Sequence, residues 1–379
     1  MTSCTVKALL VLACCWPALA SADYAAEKAR LRAGAPKDAV LLALQAGVAA
    51  LGEGQRGEAA ALFDQALASI EGMFANTENA ARARSLWYEE GVKDYKGEPY
   101  ERAMAFHYRG LLYLAEGDYE NARASFRGGV LQDAFSEEEQ YRSDFGSLMQ
   151  LEGWANQLNG DPAQAVDAYQ EVARLHPQWQ APLPGTNVLV VAELGGSPRK
   201  LGDGISNHEI VYRRPKRTPE RSITVTIDGR AYPLALAEDL YFQASTRGGR
   251  RIDRLIDGKV AFQNASETIG RIAGRLAADG SVIQAAYGGG HGNALGAIAA
   301  VGAISSIISV NVKPRADVRY WANLPETVHI AALKLAAPPS NVSVQLYDEA
   351  GAPVALEQVQ VQRWTDKNGN SLVWIKTRH

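Results

Sequence analysis

Three stretches in the first half of the chain repeat one spacing of small residues around a large ring. In each stretch a glycine is followed by an alanine twelve residues later and by an aromatic residue four residues after that. The three sets are Gly47, Ala59, Phe63 and Ala66; Gly110, Ala122, Phe126 and Gly129; and Gly153, Ala165 and Tyr169. Turn-forming residues separate the glycine from the alanine in every set, at 53–54, 116–118 and 159–162. Because antiparallel helices pack closely only where their contact residues are small, this spacing predicts three helical hairpins.

The same spacing is typical of tetratricopeptide repeats, in which helix pairs stack into an array and the first helix of each pair lines a concave surface. The glycines lie 63 and 43 residues apart instead of about 34, so the array is interrupted. We predict a partner-binding groove on the concave surface, anchored by Trp154, because exposed rings are common binding anchors. The groove residues are Met104, His107, Leu111, Gln150, Trp154 and Gln157. The alternative is that Trp154 packs as part of the core.

The second half of the chain has the pattern of a β-rich domain. After a linker at 182–185, the apolar residues 187–191 and the alternating residues 222–227 predict strands, and Asp228-Gly229 predicts a hairpin turn. Four more strand-like runs lie at 327–335, 341–347, 356–363 and 371–376. We therefore predict an α+β protein with a helical tetratricopeptide-like domain at 23–181 and a sandwich-like β domain at 187–379.

Residues 264–310 interrupt the β domain with a helical insertion rich in glycine and alanine. Its last part, 294–310, is apolar on all sides and close to the lower length limit for crossing a bilayer. Gly292 and Gly296 also form a G-x-x-x-G pair, which favours close helix contacts in membranes. We favour a helix buried within the protein, and membrane insertion or self-association through 292–310 is the alternative.

The N-terminus has the pattern of a secretory signal. Lys7 precedes an apolar run, and Ala20-Ser21-Ala22 offers a small-x-small cleavage site. We predict that residues 1–22 are a signal peptide and that the mature protein is periplasmic. The alternative is lipidation of Cys14 in a Leu-Ala-Cys motif, which would anchor the protein to the outer membrane as a lipoprotein. All three cysteines precede Ala22, so the cleaved chain would have no disulfide.

Charge is distributed unevenly along the chain. Residues 23–185 carry 25 acidic and 15 basic side chains, whereas the whole chain has a formal net charge of −3. The basic excess of the second half is concentrated at Arg213, Arg214, Lys216 and Arg217. In an exported protein, such a cluster predicts contact with anionic lipid, lipopolysaccharide or a cell-wall polymer, and not with nucleic acid. The alternative is a solvated loop.

The sequence lacks the patterns of common catalytic and cofactor sites. The six histidines have no metal-ligand spacing, and the glycine-rich run at 288–296 does not match G-x-G-x-x-G. No nucleophile motif of the G-x-S-x-G type occurs either. We therefore expect neither a cofactor nor a metal site.

Three segments, 95–126, 187–200 and 316–325, resemble a family of uncharacterised bacterial envelope proteins. The most distinctive part is Ala316-Asp317-Val318-Arg319-Tyr320-Trp321, followed by Leu324-Pro325. Members of the family are commonly described as lipoproteins with tetratricopeptide-like N-termini. The resemblance implies an architecture and an envelope location, but it implies no activity and no catalytic residue.

Together these features predict an exported envelope adaptor or assembly protein that binds a protein or peptide partner through its helical array and is not an enzyme. Two alternatives stay open. One is an enzyme that acts on an envelope polymer through the second domain. The other is a membrane-associated structural oligomer.

Overall fold

The structure is a computed structural model that describes residues 21–74, 94–133, 144–177, 179–203, 209–216, 218–246, 316–356 and 358–378. Helices make up the first half of this part of the chain, and strands dominate the second half. The predicted α+β class, with a helical first half and a β-rich second half, is therefore confirmed.

Helices in the first half pack in chain order, each on the next. They are α1 (Ser21–Ala33), α2 (Ala39–Gly52), α3 (Arg56–Phe74), α4 (Pro99–Glu116), α5 (Tyr119–Asp133), α6 (Gly146–Leu158) and α7 (Pro162–Leu175). We call α2 to α7 the helical array. Each predicted turn falls between the helices of a pair, and each contains a glycine with positive φ, namely Gly54, Gly117 or Gly160. This left-handed conformation suits glycine because it has no Cβ.

The predicted contacts between glycine and ring are present in all three helix pairs. A Cβ atom added to Gly47 would lie 2.9 Å from the ring of Phe63, which is too close for a real side chain. Gly110 contacts the ring of Phe126 in the same way, and Gly153 contacts the ring of Tyr169. The small residue therefore sets how closely the two helices of each pair approach.

The strands of the second half form three sheets. They are β1 (Val188–Leu194), β2 (Arg199–Asp203), β3 (Glu209–Arg213), β4 (Ser222–Ile227), β5 (Arg230–Pro233), β6 (Ala235–Asp239), β7 (Thr327–Leu333), β8 (Val342–Tyr347), β9 (Pro353–Val354), β10 (Val359–Thr365) and β11 (Ser371–Thr377). The orders are β10-β11-β1-β7-β6 for the central sheet, β5-β4-β8-β9 for the second sheet, and β2-β3 for a two-stranded ribbon. In the central sheet β1 pairs with β11 in parallel, and the other pairs are antiparallel.

The central sheet is buried on both faces at β1 and β11, because these two strands have only buried residues. Alternate residues on a strand point to opposite faces. Val191 and Trp374 belong to the hydrophobic core that includes the helices. Val190 and Val373 belong to a second core, which they share with Val225 of the second sheet. The predicted helical and β domains therefore share one core across the boundary at 182–187.

Most of the strands that the sequence predicted are present, including the hairpin turn at Asp228 and Gly229, where both residues have positive φ. The sequence patterns did not indicate β2, β3, β5, β6, β9 or the short helix α8 (Leu240–Thr246). These elements are short or rich in charged residues, so their hydrophobic pattern is weak.

Several predicted features lie outside the described residues. They are the apolar run of the signal, Cys14, Arg217 and the insertion at 264–310 with its apolar run. Among the helices that the structure describes, none combines the length and apolarity needed to cross a membrane.

Candidate functional site

The inner surface of the helical array is covered by the central sheet of the same chain. The first helix of each pair contacts one strand: α2 contacts β10, α4 contacts β11, and α6 contacts β6. Turns of the array are held as well, since Gln362 donates a hydrogen bond of 2.7 Å to the carbonyl of Gly52. Tyr119 donates to Asp366 at 2.5 Å in the turn between β10 and β11. The surface formed by the first helices of the pairs therefore faces protein and not solvent.

This arrangement shows that the predicted open groove is wrong. Five of its six residues are buried: Met104, His107, Leu111, Gln150 and Trp154. Gln157 is only partly exposed, and it donates a hydrogen bond of 3.2 Å to Thr186, the residue after the linker. Trp154 keeps 2% of its surface accessible, so the alternative interpretation of this residue as core holds. The sheet has a hydrophobic face of its own that must be buried, and the array supplies the complementary surface.

The segment 316–325, which carries the family resemblance, also lies against the inner surface. Trp321 is completely buried, with its ring centroid 5.6 Å from that of Tyr108 and 6.3 Å from that of Phe63. Its backbone N–H donates to the buried carboxylate of Glu101 at 2.7 Å. Asn323 accepts a hydrogen bond from the Trp321 indole and donates one to the carbonyl of Gln45. Both N–H groups of Trp321 are thereby paired, and Asn323 links the indole to the array.

Arg319 adds an ionic contact to the same segment. Its guanidinium lies 2.6 Å from the Asp38 carboxylate and 2.7 Å from that of Asp317. It also lies over the ring of Tyr95, 5.5 Å from the centroid. Arg319 and Trp321 therefore fasten this segment to the helices.

A cluster of ionisable side chains is buried between the array and the central sheet. Its centre is Glu193 of β1, a single carboxylate in an otherwise apolar strand. Glu193 accepts hydrogen bonds from Tyr108 at 2.7 Å, from the indole of Trp374 at 2.9 Å, and from Lys376 at 3.0 Å. The Nε2 atom of His107 lies 3.5 Å from the same carboxylate.

The cluster determines the ionisation state of Glu193. Burial acts to raise the pKa of the carboxyl, but the charge of Lys376, the nearby ring of His107 and the hydrogen bond from Trp374 lower it to about 2. Burial and the neighbouring carboxylate raise the pKa of Tyr108, which therefore stays protonated and donates. Glu193 is thus an anion whose acceptor capacity is used by protein groups. Since Glu193 and His107 are fully buried, the cluster joins the two halves of the chain instead of facing a substrate.

A second buried ion pair attaches the β2-β3 ribbon to the array. Lys200 of β2 lies 2.6 Å from Glu98, the residue that precedes α4, and both side chains are buried. Beside this pair, the rings of Tyr212 and Tyr100 meet edge to face at 6.1 Å. One face of the ribbon is therefore packed against the array.

An open cleft lies on the outer side of the array, between α5, α6 and α7. Its volume is about 520 Å³. It is lined by Arg123, Arg127, Glu152, Gln164, Asp167, Ala168, Gln170 and Glu171, and we call it the outer cleft. Arg123 and Arg127 are four residues apart on α5, and Asp167 and Glu171 are four residues apart on α7. Residues with this spacing share one helix face, so the two walls have opposite charge.

Glu152 lies in the outer cleft and is largely buried. Burial raises the pKa of its carboxyl, and Arg127, at 3.7 Å, opposes this shift. Glu152 therefore places a buried carboxyl group beside the exposed guanidinium of Arg127. The residues of the outer cleft were not singled out from the sequence, although the two charged i, i+4 pairs were visible there.

The predicted basic cluster is divided between different roles. Arg213, at the end of β3, is exposed, as is Lys216. Arg214 pairs with Glu326 and, at 3.1 Å, with Asp239, and it lies over the ring of Tyr241. Its charge is therefore partly used within the fold, although about half of the side chain stays exposed, and its contact with an anionic surface stays a prediction. Arg217 lies outside the described residues.

Metal ligation has no candidate among the residues described, since no three His, Cys, Asp or Glu side chains cluster there. No family model, no curated protein and no solved structure matches this chain.

Proposed function

We propose that this protein is an exported adaptor of the bacterial envelope that binds a protein partner through the outer cleft of its helical array. One observation carries the proposal: the chain's own sheet fills the inner surface, whereas an open cleft with oppositely charged walls lies on the outer side. An adaptor needs a shaped surface that is not used in its own fold, and the outer cleft has this property.

The contacts of Gly47, Gly110 and Gly153 with their rings support a tetratricopeptide-like array. The core shared by the central and second sheets supports a sandwich-like β domain. In this interpretation the β domain takes the place of a bound ligand on the concave surface. The partner would then bind on the convex side, where the second helices of the pairs are exposed.

The charges of the outer cleft define the chemistry of the partner. One wall carries Arg127 and Arg123, which also pairs with Glu120, and it favours acidic residues; the other carries Asp167 and Glu171, which also pairs with Arg174, and it favours basic residues. A polypeptide segment with charges of both signs complements both walls, and a uniformly charged polymer complements only one. Such complementarity contributes mainly to specificity and to the rate of association.

The start of the described chain supports cleavage after Ala22. Asp23 pairs with Arg378 at 2.6 Å. Tyr24 is buried, and its backbone N–H donates to Glu53 at 2.9 Å. The residues that would begin the mature chain are thus part of the fold, and cleavage would leave these contacts intact. Mass analysis of the mature protein tests this point: a start at Asp23 supports the periplasmic form, a lipid-modified Cys14 supports the anchored form, and an intact Met1 contradicts export.

Site-specific photo-crosslinking in intact envelopes tests the adaptor function. A photoreactive residue replaces Gln164 or Gln170 in the outer cleft, and the control carries it at Glu349, an exposed residue in the turn after β8. We expect one protein to crosslink from both cleft positions and not from Glu349. In the background of Arg127→Glu, which reverses the charge of one wall, the yield should fall several-fold.

Two results would contradict the proposal. Identical crosslinks from Glu349 and from the cleft would show that contact with the partner is unspecific. A yield unchanged by Arg127→Glu, in a variant with unchanged melting, would show that the charges of the cleft are not used.

A further inference from the structure

The β2-β3 ribbon has one packed face and one open face. Lys200 and Tyr212 are a cross-strand pair on the packed face, where they contact the array. Residues on the open face are one position away on each strand, because side chains alternate. These include Arg199 and Arg213, which are directly opposite each other in the register. The contacts of the packed face hold the open face in a fixed position.

Two arginines in this register are an unfavourable pair. Residues directly opposite on antiparallel strands have Cβ atoms about 4.5–5.5 Å apart, and like charges there are destabilising. Arg213 is exposed, and the ion pairs found among the described residues do not include it. Arg199 uses only its Nε atom, which donates to the carbonyl of Arg214 at 3.4 Å. The remaining N–H groups of both guanidiniums are therefore available to an anion.

Acidic residues of the ribbon lie at its other end. Asp203 and Glu209 are paired four residues along the strands from Arg199 and Arg213. At about 3.3 Å per residue this separation is roughly 13 Å, which is longer than the screening length of about 10 Å at 0.1 M salt. Between them lies Leu201, an exposed apolar side chain. The positive end of the ribbon is thus electrostatically separate, and Lys216 lies three residues beyond Arg213.

We propose that Arg199 and Arg213, held opposite each other on the open face of the ribbon, form a binding site for the phosphate of an anionic lipid headgroup. Guanidinium groups match phosphate oxygens through paired N–H donors, and one phosphate would relieve the repulsion between the two charges. The exposed apolar side chain of Leu201, beside the pair, would contact the membrane at the boundary between headgroups and acyl chains. The site would place the protein against a membrane surface, and it does not depend on the partner of the outer cleft.

Vesicle co-sedimentation tests the proposal with the full mature chain. Vesicles of phosphatidylglycerol mixed with phosphatidylcholine are compared with vesicles of phosphatidylcholine alone. The test variant is Arg199→Gln/Arg213→Gln. The control, Arg230→Gln/Lys367→Gln, removes the same charge from two exposed residues elsewhere. Since each basic residue near an anionic membrane contributes ~1 kcal/mol, the test variant should bind about thirtyfold more weakly.

The outcomes separate the possible sources of phosphate. Binding to anionic vesicles that falls steeply with salt, is lost in the test variant and persists in the control supports a lipid site. Binding of inorganic phosphate, followed by the NMR signals of the arginine side chains, without vesicle binding would overturn the lipid source and support a soluble phosphate. Equal losses in the two variants, or no binding of either probe, would overturn the site. Unchanged melting curves confirm that the variants are folded.

Discussion

Replacing Glu193 by Gln tests whether the buried cluster joins the array to the sheet. The amide keeps the shape of the carboxyl but removes the charge that balances Lys376. Breaking a buried ion pair by removing one partner costs about 3–5 kcal/mol, because the other charge stays buried without compensation. Glu193 also accepts hydrogen bonds from Tyr108 and Trp374, and an amide nitrogen cannot accept. We therefore expect the free energy of unfolding at pH 7 to fall by about 3–5 kcal/mol.

The pH dependence of stability gives an independent value for the contribution of Glu193 to the free energy of unfolding. The pKa of Glu193 is about 2 in the folded protein, compared with an ordinary value of 4.5. A depressed carboxyl pKa stabilises the folded state above the unfolded value, and this stabilisation is lost as the pH falls through 4.5 towards 2. The difference corresponds to about 3 kcal/mol in full, of which about 2 kcal/mol is lost between pH 7 and pH 3. Between pH 7 and pH 3 the free energy of unfolding of the wild type should therefore fall by about 2 kcal/mol more than that of Glu193→Gln.

Urea unfolding followed by tryptophan fluorescence at pH 7 and at pH 3 measures both quantities. Glu349→Gln serves as the control, because this glutamate is exposed in a turn. The double variant Glu193→Leu/Lys376→Met should recover only part of the loss, because it replaces the ion pair with apolar groups but leaves the buried donors of Tyr108 and Trp374 without an acceptor. A change below about 1 kcal/mol in Glu193→Gln, or an identical pH dependence in wild type and variant, would refute the reasoning.

Three further predictions concern the packing. Trp321→Ala should lower the free energy of unfolding by about 3–5 kcal/mol. The control Val318→Ala, at an exposed residue of the same segment, should change it by less than about 0.5 kcal/mol. Equal small effects of the two variants would show that the segment is not docked. Gly110→Ala should lower the free energy of unfolding by about 1–3 kcal/mol, because the added Cβ would overlap the Phe126 ring. The control Gly57→Ala, with open space around it in α3, should be neutral or slightly stabilising. Similar losses of the two variants in urea unfolding would argue against the helix contact. Burial lowers the pKa of His329 to about 4 from 6.5. The free energy of unfolding should therefore fall by up to about 3 kcal/mol as the pH drops from 6.5 to 4, because the unfolded state gains a proton more readily than the folded state. His329→Gln should remove this pH dependence, and a variant that keeps the wild-type pH profile would contradict the prediction.

The local elements of this fold were predictable because their signals lie within a few residues. The spacing from Gly47 to Phe63 predicts a helix contact, since i, i+3 and i+4 neighbours define one face of each helix. The pair Asp228-Gly229 predicts a tight turn, since both residues tolerate positive φ. Charged short strands such as β2 and β3 were missed because their burial depends on contacts with Glu98 and Tyr100, which are distant in sequence.

The candidate site was predicted less well, for a related reason. Helical periodicity identifies the face of α4 that carries Met104 and His107, but it does not tell what covers that face. An apolar or aromatic side chain on a concave surface has the same pattern whether it binds a partner or packs on another part of its own chain. The opposite-charge pairs on α5 and α7 were visible in the sequence, yet only packing of α5 and α7 around α6 shows that they line one cleft.

The sequence by itself determined the helix pairs, most of the strands and the turns between them, because each depends on hydrophobic period and on the local conformational preferences of glycine, proline and asparagine. Only the tertiary structure decided that β11 pairs in parallel with β1, that the central sheet covers the inner surface of the array, and that Trp321 fills the space beside Tyr108. Such choices depend on the free energy of burying complementary surfaces that lie more than a hundred residues apart. No local pattern encodes that complementarity, so the partner of each buried face had to be read from the folded chain.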